Sequence, residues 1–279
     1  MTTNKLVRPF LKWAGGKRQL LPEIKNYVPK KYNTYYEPFL GGGAILFNLQ
    51  PKNATINDSN TELINCYEVI RDSLEELIED LKKHENNESY YYEMRELDRT
   101  TTYKDNYDKI KRASRILYLN KTCYNGLFRV NSQGQFNVPF GRYKNPNILD
   151  EAVLRAVNKY LNNNRVKIFN TDFEKAVLDA KKGDFVYFDP PYDPVSNTAS
   201  FTGYDVNGFD KEEQKRLKSV FDDLTSRGCQ ALLSNADTDF IIKLYGGRYK
   251  IEKISATRAI NSNALKRGKI TEVLVRNYE

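Results

Sequence analysis

With 279 residues, 40% of them hydrophobic and 29% charged, the chain can bury one large core or two modest ones. No apolar run approaches the ~20 residues that span a membrane, and Met1 to Lys5 opens onto no apolar signal core, so neither a membrane protein nor a secreted one is expected. Three distant cysteines (Cys66, Cys123, Cys229) and a single histidine argue against a disulfide framework and rule out a multi-histidine metal centre, so no metal is expected. His84 reads as part of the solvated face of a polar helix.

The net charge of +8 is unevenly placed. Lys104 to Lys144 carries nine Lys/Arg against two Asp, and Arg248 to Lys269 carries seven against one Glu, which leaves the rest of the chain net acidic. Two basic segments, the first interleaved with aromatic residues, suggest a surface for a polyanion. Chance clustering on solvated faces is the plainer alternative.

In chain order, Pro9 to Lys17 brings the only Trp, Trp13, beside Gly15, Gly16 and two lysines. Leu11 and Arg18 break the phosphate-loop pattern, which leaves a glycine turn opening a helix. Tyr35 to Ala44 reads as a strand, a glycine loop (Gly41, Gly42, Gly43) and a helix, the first β-α turn of a nucleotide-binding sheet. Glu37 precedes the glycines and no Lys follows in the loop, which suits a cationic or neutral ligand better than a pyrophosphate. A second strand, Ala54 to Asp58, ends on a carboxylate 17 residues past Gly41. That spacing fits a ribose-binding acid, with a helix cap as the other reading. Helices are predicted at 61–71, 74–83, 90–99 and 107–120, and they interrupt the β-α alternation as an inserted subdomain. Thr122 to Asn131 and Gln135 to Pro139 read as a short hairpin turning at 131–134. Tyr124, Asn125, Arg129, Asn137 and Arg142 are of the types that read base edges or wedge into a base stack, though turn chemistry accounts equally for Asn137.

The β-α pattern resumes with a helix at 150–161, a strand at 166–170 and a short helix after Asp172-Phe173. Phe185 to Phe188 is an unbroken apolar run that reads as a buried strand. Asp189 ends it, and Pro190-Pro191 cannot extend the sheet. A carboxylate, a backbone carbonyl and the Tyr192 ring together suit an aromatic amine: two acceptors for its N–H groups and a face for its plane. A strand closed by an Asp-capped Pro-Pro turn would look the same. A Ser/Thr/Asn/Gly-rich loop at 195–208 is long enough for a lid. Then come a helix at 211–226, a strand at 229–235, a helix at 237–244, a strand at 249–254, a basic loop at 256–268 and a last strand at 270–275.

Six of these blocks (10–17, 37–43, Asp58, 124–129, 136–144 and 189–192) stand in the same order as in the Dam-type DNA adenine methyltransferases, and the chain resembles that family over nearly its whole length. The resemblance implies an α/β fold: a doubly wound S-adenosylmethionine-dependent methyltransferase sheet with an inserted helical and β-hairpin target-recognition subdomain. The catalytic domain would comprise 1–60 and 148–279, and the DNA-binding subdomain 61–147. The resemblance puts Trp13, Ala14, Gly15, Lys17, Glu37, Pro38, Phe39, Gly41, Gly43, Asp58, Asp172, Phe173 and Asp189 at the cofactor. Lys12, Tyr124, Asn125, Leu127, Arg129, Asn137, Pro139 and Arg142 fall to double-stranded DNA, and Asp189, Pro190 and Tyr192 to catalysis. The block Phe136 to Pro139 resembles members that methylate adenine in GATC, with Arg129 as the base reader and Tyr124 as the stack-filling aromatic. The expected setting is the cytoplasm of a bacterial or phage-infected cell, with a cognate restriction endonuclease as the one protein partner compatible with the reading. Rival readings are a cytosine-amino or RNA-adenine methyltransferase, and a non-catalytic DNA-binding module.

Overall fold

The computed structural model describes residues 3–13, 15, 17–100, 102–195, 208–257 and 269–279. The expected lid at 195–208 lies almost wholly outside these residues, as do most of the basic loop at 256–268 and the cofactor candidate Ala14.

After a 3-10 turn at Lys17–Gln19, the elements run α1 (Leu21–Tyr27), β1 (Tyr35–Glu37), α2 (Ala44–Leu49), β2 (Asn53–Asn57), α3 (Thr61–Asp72), α4 (Leu74–Leu81), α5 (Glu88–Glu96), α6 (Tyr103–Asn106), α7 (Lys109–Thr122), α8 (Glu151–Asn163), β3 (Arg165–Phe169), α9 (Phe173–Ala176), β4 (Phe185–Phe188), α10 (Lys211–Ser226), β5 (Gln230–Ala236), α11 (Asp239–Tyr245), β6 (Lys250–Thr257) and β7 (Lys269–Arg276). The strands form one sheet in the order β3-β2-β1-β4-β5-β7-β6. All its pairings are parallel except that β7 runs antiparallel between β5 and β6. The doubly wound α/β sheet expected from the sequence is thus the fold.

β4 shows why an unbroken apolar run makes a central parallel strand. Its four residues are all buried, but on alternate faces. Phe185 and Tyr187 join the cluster that also holds Tyr35, Ile56 and Leu232, and Val186 and Phe188 join Leu233, Val275, Phe221 and Tyr245 on the other side. A strand covered by helices on both faces has no polar alternation to show.

The first cluster continues without a break into the insertion, through Tyr91, Leu117 and Phe136. α3 packs on α7 in the insertion and on α8 and β3 in the sheet layer. Helix starts follow side-chain caps. Asn87 accepts the Tyr90 N–H, so α5 begins two residues earlier than periodicity suggests, and Asp108 accepts the Lys111 N–H, so α7 begins two residues later than predicted. No helix among the described residues is long and apolar enough to cross a membrane.

Three sequence expectations change. His84 lies in the turn after α4, half-buried and stacked on Tyr118 at 4.4 Å between ring centroids. Its ring nitrogens meet Tyr90 Oη and Ser114 Oγ, and burial lowers its pKa to about 4, so it is a neutral packing residue rather than a solvated one. The first basic segment is partly spent inside the protein: Arg115 is buried and pairs with Asp98, and Arg112 pairs with Glu62. The hairpin has its turn, with Gly134 N–H donating to Asn131 O, and backbone bonds such as Asn137 N–H to Arg129 O join its arms, but these amount to the isolated bridges Cys123–Phe140 and Val130–Phe136 rather than full strands.

Candidate active site

The strand order reverses between β1 and β4, and in an open α/β sheet ligands bind in the crevice beyond the carboxyl ends at such a point. Glu37-Pro38-Phe39 leaves β1 there, and Asp189-Pro190-Pro191-Tyr192 leaves β4 beside it.

The glycine loop is shaped by its neighbours. Gly41 has φ +50° and Gly43 φ +69°, in the left-handed region that L side chains rarely adopt. A Cβ at Gly41 would lie 2.9 Å from Trp13 Cδ1, and one at Gly43 2.7 Å from Tyr67 Oη. Gly43 stands at the N-cap of α2 without a side chain to cap it. Glu37 takes that part: its Oε2 accepts the Leu46 N–H at 3.1 Å and the Tyr35 hydroxyl at 2.8 Å. Burial raises the Glu37 pKa well above the carboxylate range, although both hydrogen bonds oppose the shift. Glu37 therefore sits beneath the loop as a clamp.

Asp58 lies just past β2. Its Oδ2 accepts the Gly41 N–H and its Oδ1 the Asn60 N–H, both at 2.9 Å. A carboxylate is the acceptor type that sugar hydroxyls call for. Phe39 packs on Phe173 at 5.2 Å and on Phe209 at 5.6 Å between centroids. Asp172 caps α9 and forms a two-pronged pair with Arg216, each bond 2.8 Å long, so its carboxylate points to α10. The Arg216 hydrogen bond chiefly holds its pKa below the usual range.

At β4 the Asp189 side chain is 19% exposed, with Oδ1 2.7 Å from Lys17 Nζ. Burial raises its pKa to about 6, and the nearby ammonium limits the rise. Lys17 also lies 4.4 Å from the Tyr192 ring centre, a cation–π contact. Tyr192 Oη donates to Glu272 Oε2 at 2.6 Å. The Pro191 carbonyl is taken by Gln214 Nε2 at 2.9 Å, whereas no donor among the described residues reaches the Pro190 carbonyl.

A polar network fixes this loop. Asn235 Nδ2 donates to Gln214 Oε1 at 3.1 Å, Asp193 N–H to Asn235 Oδ1 at 3.1 Å, and Thr238 Oγ1 to Asp193 Oδ2 at 2.6 Å. Gln214, Asn235 and Asp193 are buried. Asn57, also buried, ties Pro38 O to the Thr171 backbone and so holds the loops on the β1 side of the crevice together.

The DNA candidates form a second, exposed group. Lys12 lies over the Asn125-Gly126 turn, where a Cβ on Gly126 would come within 2.3 Å of its Cδ. Asn120 holds both partners: its Oδ1 accepts the Lys12 N–H, and its Nδ2 donates to Lys12 O and Gly126 O. Trp13 stacks on Phe128 at 4.4 Å and 23°, linking the glycine loop to the hairpin. Arg129 donates from Nε to Asn137 Oδ1 and from Nη2 to Asn137 O, at 2.8 and 3.0 Å. Tyr124 is exposed, as are Asn125 and Pro139, while Leu127 is half-buried. Arg142 pairs with Glu88 at 3.2 Å on the surface. Lys12, Tyr124, Asn125, Leu127, Arg129, Asn137 and Pro139 thus belong to one local structure, and Arg142 leans away from it toward α5.

Sequence reasoning missed Asn57, Asn120, Gln214, Asn235, Asp98 and Glu272. The available signal was a polar residue at an apolar position: Asn235 in the buried strand β5, and Asn120 on α7 in phase with the buried Ala113 and Leu117.

The profile of the D12 class N6 adenine-specific DNA methyltransferases matches residues 13–260. The chain belongs to this family. It is 51% identical over 278 residues to the Type II methyltransferase M1.LlaDCHI of Lactococcus lactis subsp. cremoris, covering 99% of this chain and 97% of that protein. It is 44% identical to the Type II methyltransferase M.MjaIII of Methanocaldococcus jannaschii, with coverage of 98% and 99%. It is 35% identical to the DNA adenine methylase of Escherichia coli K12, with coverage of 96% and 94%. As a D12 class methyltransferase it is an enzyme that acts on adenine in DNA, which disposes of the cytosine, RNA and non-catalytic readings. The crevice between the ends of β1 and β4 is its candidate active site.

Proposed function

We propose that this enzyme transfers a methyl group from S-adenosylmethionine to N6 of an adenine flipped out of double-stranded DNA, within GATC. The observation that carries the chemistry is the junction of Asp189, the Pro190 carbonyl, to which no described donor bonds, and Tyr192 at the end of β4, opposite the glycine loop and Asp58. The donor fits the far side of the crevice. Asp58 offers acceptors to ribose hydroxyls, and the left-handed glycines let backbone approach a ligand closely. S-adenosylmethionine supplies an electrophilic methyl group, and the remaining work falls to the protein.

The adenine amine is a poor nucleophile because its lone pair is delocalised into the ring. Hydrogen bonds from its two N–H groups to the Asp189 carboxylate and the Pro190 carbonyl localise that lone pair. As the N6–methyl bond forms, the amine becomes acidic, and Asp189 accepts its proton. Asp189 must therefore be ionised at the start. Stacking on Tyr192, worth about 1–3 kcal/mol per base, offsets much of the few kcal/mol needed to extrude the base.

Target choice is read from the hairpin. Asn137 uses the Nε and one Nη2 position of Arg129, which leaves donors of the guanidinium fork for guanine O6 and N7. Tyr124, exposed on the same turn, is placed to fill the gap left by the flipped base. A cognate restriction endonuclease is the protein partner this reading admits.

The test is digestion of DNA exposed to the protein and donor, using nucleases that distinguish modified from unmodified GATC, with nucleoside analysis of the product. Protection at GATC together with N6-methyladenine is the expected result. N6-methyladenine without GATC protection would keep the chemistry and discard the site.

A further inference from the structure

Lys17 is nearly buried, at 4% exposure, and its Nζ lies 2.7 Å from Asp189 Oδ1 and 4.0 Å from Glu272 Oε2. Its ammonium donates a hydrogen bond to Gly15 O at 3.1 Å. As it stands, the ammonium occupies an oxygen of the carboxylate that the adenine amine must reach. It cannot turn to bulk water from this depth, and a buried cation without a carboxylate is costly. Glu272 offers it a second one. This carboxylate projects from β7, a strand paired on both sides, at the residue opposite Ala236 of β5 and Ile254 of β6. A charged side chain at 15% exposure beside the crevice is poor packing material. It is already engaged with the crevice, through the Tyr192 hydroxyl at 2.6 Å.

We propose that Glu272 is a positioning residue for methyl transfer: it receives the Lys17 ammonium when the adenine amine takes its place at Asp189, and it fixes the Tyr192 ring on which that base stacks. The inference rests on the adenine reading above. In the step it serves, the N6–carbon bond forms as the carbon–sulfur bond breaks, the pair from the broken bond goes to sulfur, and the N6 proton passes to Asp189. With Lys17 shared between two carboxylates, this part of the site carries a net single negative charge, which complements the positive sulfonium before transfer.

The groups facing Asp189 are Lys17 from the 3-10 turn, Glu272 from β7, Tyr192 on its own loop, Tyr187 on β4 and Glu37 on β1. Glu272 is among those that raise its pKa, and Lys17 is the one that lowers it most. Removing the Glu272 charge should therefore bind Lys17 more tightly to Asp189 and make Asp189 more acidic.

The experiment compares wild type, Glu272→Gln and Glu272→Asp on a GATC duplex with S-adenosylmethionine across pH. Glu272→Gln keeps an acceptor for the Tyr192 hydroxyl and loses only the charge. It should lower kcat by about tenfold or more while leaving KM for both substrates near wild type, because the lost interaction belongs to the reacting arrangement. The acidic limb of its kcat/KM profile should move to lower pH, and Glu272→Asp should restore the limb and part of kcat. A Glu272→Gln enzyme with kcat within about twofold of wild type and an unmoved limb overturns the proposal. So does an equal loss in both variants accompanied by a lowered Tm, which marks a structural role. Wild-type protein that makes no N6-methyladenine would instead defeat the underlying reading.

Discussion

The crevice and the hairpin are built by different means. The crevice is made where strands end. β1, β2 and β4 are locked in parallel register, and the loops that leave them are tied by buried amides, Asn57 on one side and Asn235 with Gln214 on the other. The hairpin has almost no ladder. Asp98 Oδ2 accepts the Phe136 N–H at 2.9 Å, Arg99 donates to Phe136 O at 2.6 Å, and Asn131 organises the turn with bonds to Gln133 and Gln135. A continuous sheet gives chemistry a rigid frame. Side-chain ties to a short exposed hairpin give a surface whose readers can differ while the frame stays. Among the described residues, Trp13 on Phe128 is the one aromatic stack joining the two, worth about 0.5–1.5 kcal/mol beyond its buried area.

The largest expected effect breaks the crevice alone. Asp189→Ala should lower methyl transfer by about 10²–10⁴-fold with folding and DNA binding retained, and turnover within about tenfold of wild type would sink the role. The same residue sets a pH limb. Because burial raises its pKa to about 6 and the carboxylate is the working form, kcat/KM should be flat above that pH and fall about tenfold per unit below it. A profile level down to pH 5 would contradict this.

The next breaks the hairpin alone. Arg115 is fully buried and its ion-pair partner Asp98 nearly so, at 3.0 Å. Asp98→Ala leaves that cation uncompensated and frees the Phe136 N–H, so it should cost about 3–5 kcal/mol in urea unfolding. If the regions are as separate as their construction, cofactor affinity in the surviving folded protein should stay near wild type. An equal loss of cofactor binding would show that the Trp13–Phe128 stack transmits hairpin damage to the glycine loop. Asp58→Ala is the converse. It should weaken S-adenosylmethionine binding by about 1.5–3 kcal/mol for each ribose hydrogen bond lost, with target selectivity unchanged. Calorimetry giving wild-type affinity would return Asp58 to the plain task of holding Gly41.

The same contrast explains what could be read in the sequence. β4, α10 and α3 were legible almost to the residue, because apolar runs, helical periodicity and polar caps all act locally. The places of Asp189 and Asp58 just past β4 and β2 were legible because each strand-forming run stops at a carboxylate. The hairpin was legible, with backbone bonds between its arms, but these make isolated bridges rather than full strands, and Phe136 is held by Asp98 and Arg99, distant in the chain and invisible to local pattern. Arg115 was counted with the surface charge because its helical position differs little from those of Lys111 and Arg112. Only the packing of Tyr103 over it and its bonds to Met94 O and Arg95 O place it inside. Glu272 gave no signal at all, since a single acid in a strand otherwise reads as solvent-facing alternation.

The smallest expected effect decides what kind of surface the hairpin is. Arg129 is exposed, and the two bonds recorded to Asn137 aim it without neutralising it. If it reads a guanine of GATC, Arg129→Ala should lose about 1–3 kcal/mol of discrimination at that one base pair. Duplexes altered there should then be methylated relatively better, and the other three positions should keep their selectivity. Asn137→Ala should give a weaker form of the same pattern, because the guanidinium stays but is no longer aimed. A phosphate contact behaves otherwise: its loss weakens binding about equally on every sequence and lowers the salt slope by about one. Rates on duplexes substituted at each GATC position, at two salt concentrations, separate the two. A uniform drop with a shallower slope would make Arg129 a backbone anchor and leave base reading to Asn125, Leu127 and Pro139. A drop confined to one base pair, reproduced in part by Asn137→Ala, would show that specificity rests on a side chain aimed by its hairpin neighbour, outside the frame that performs the chemistry.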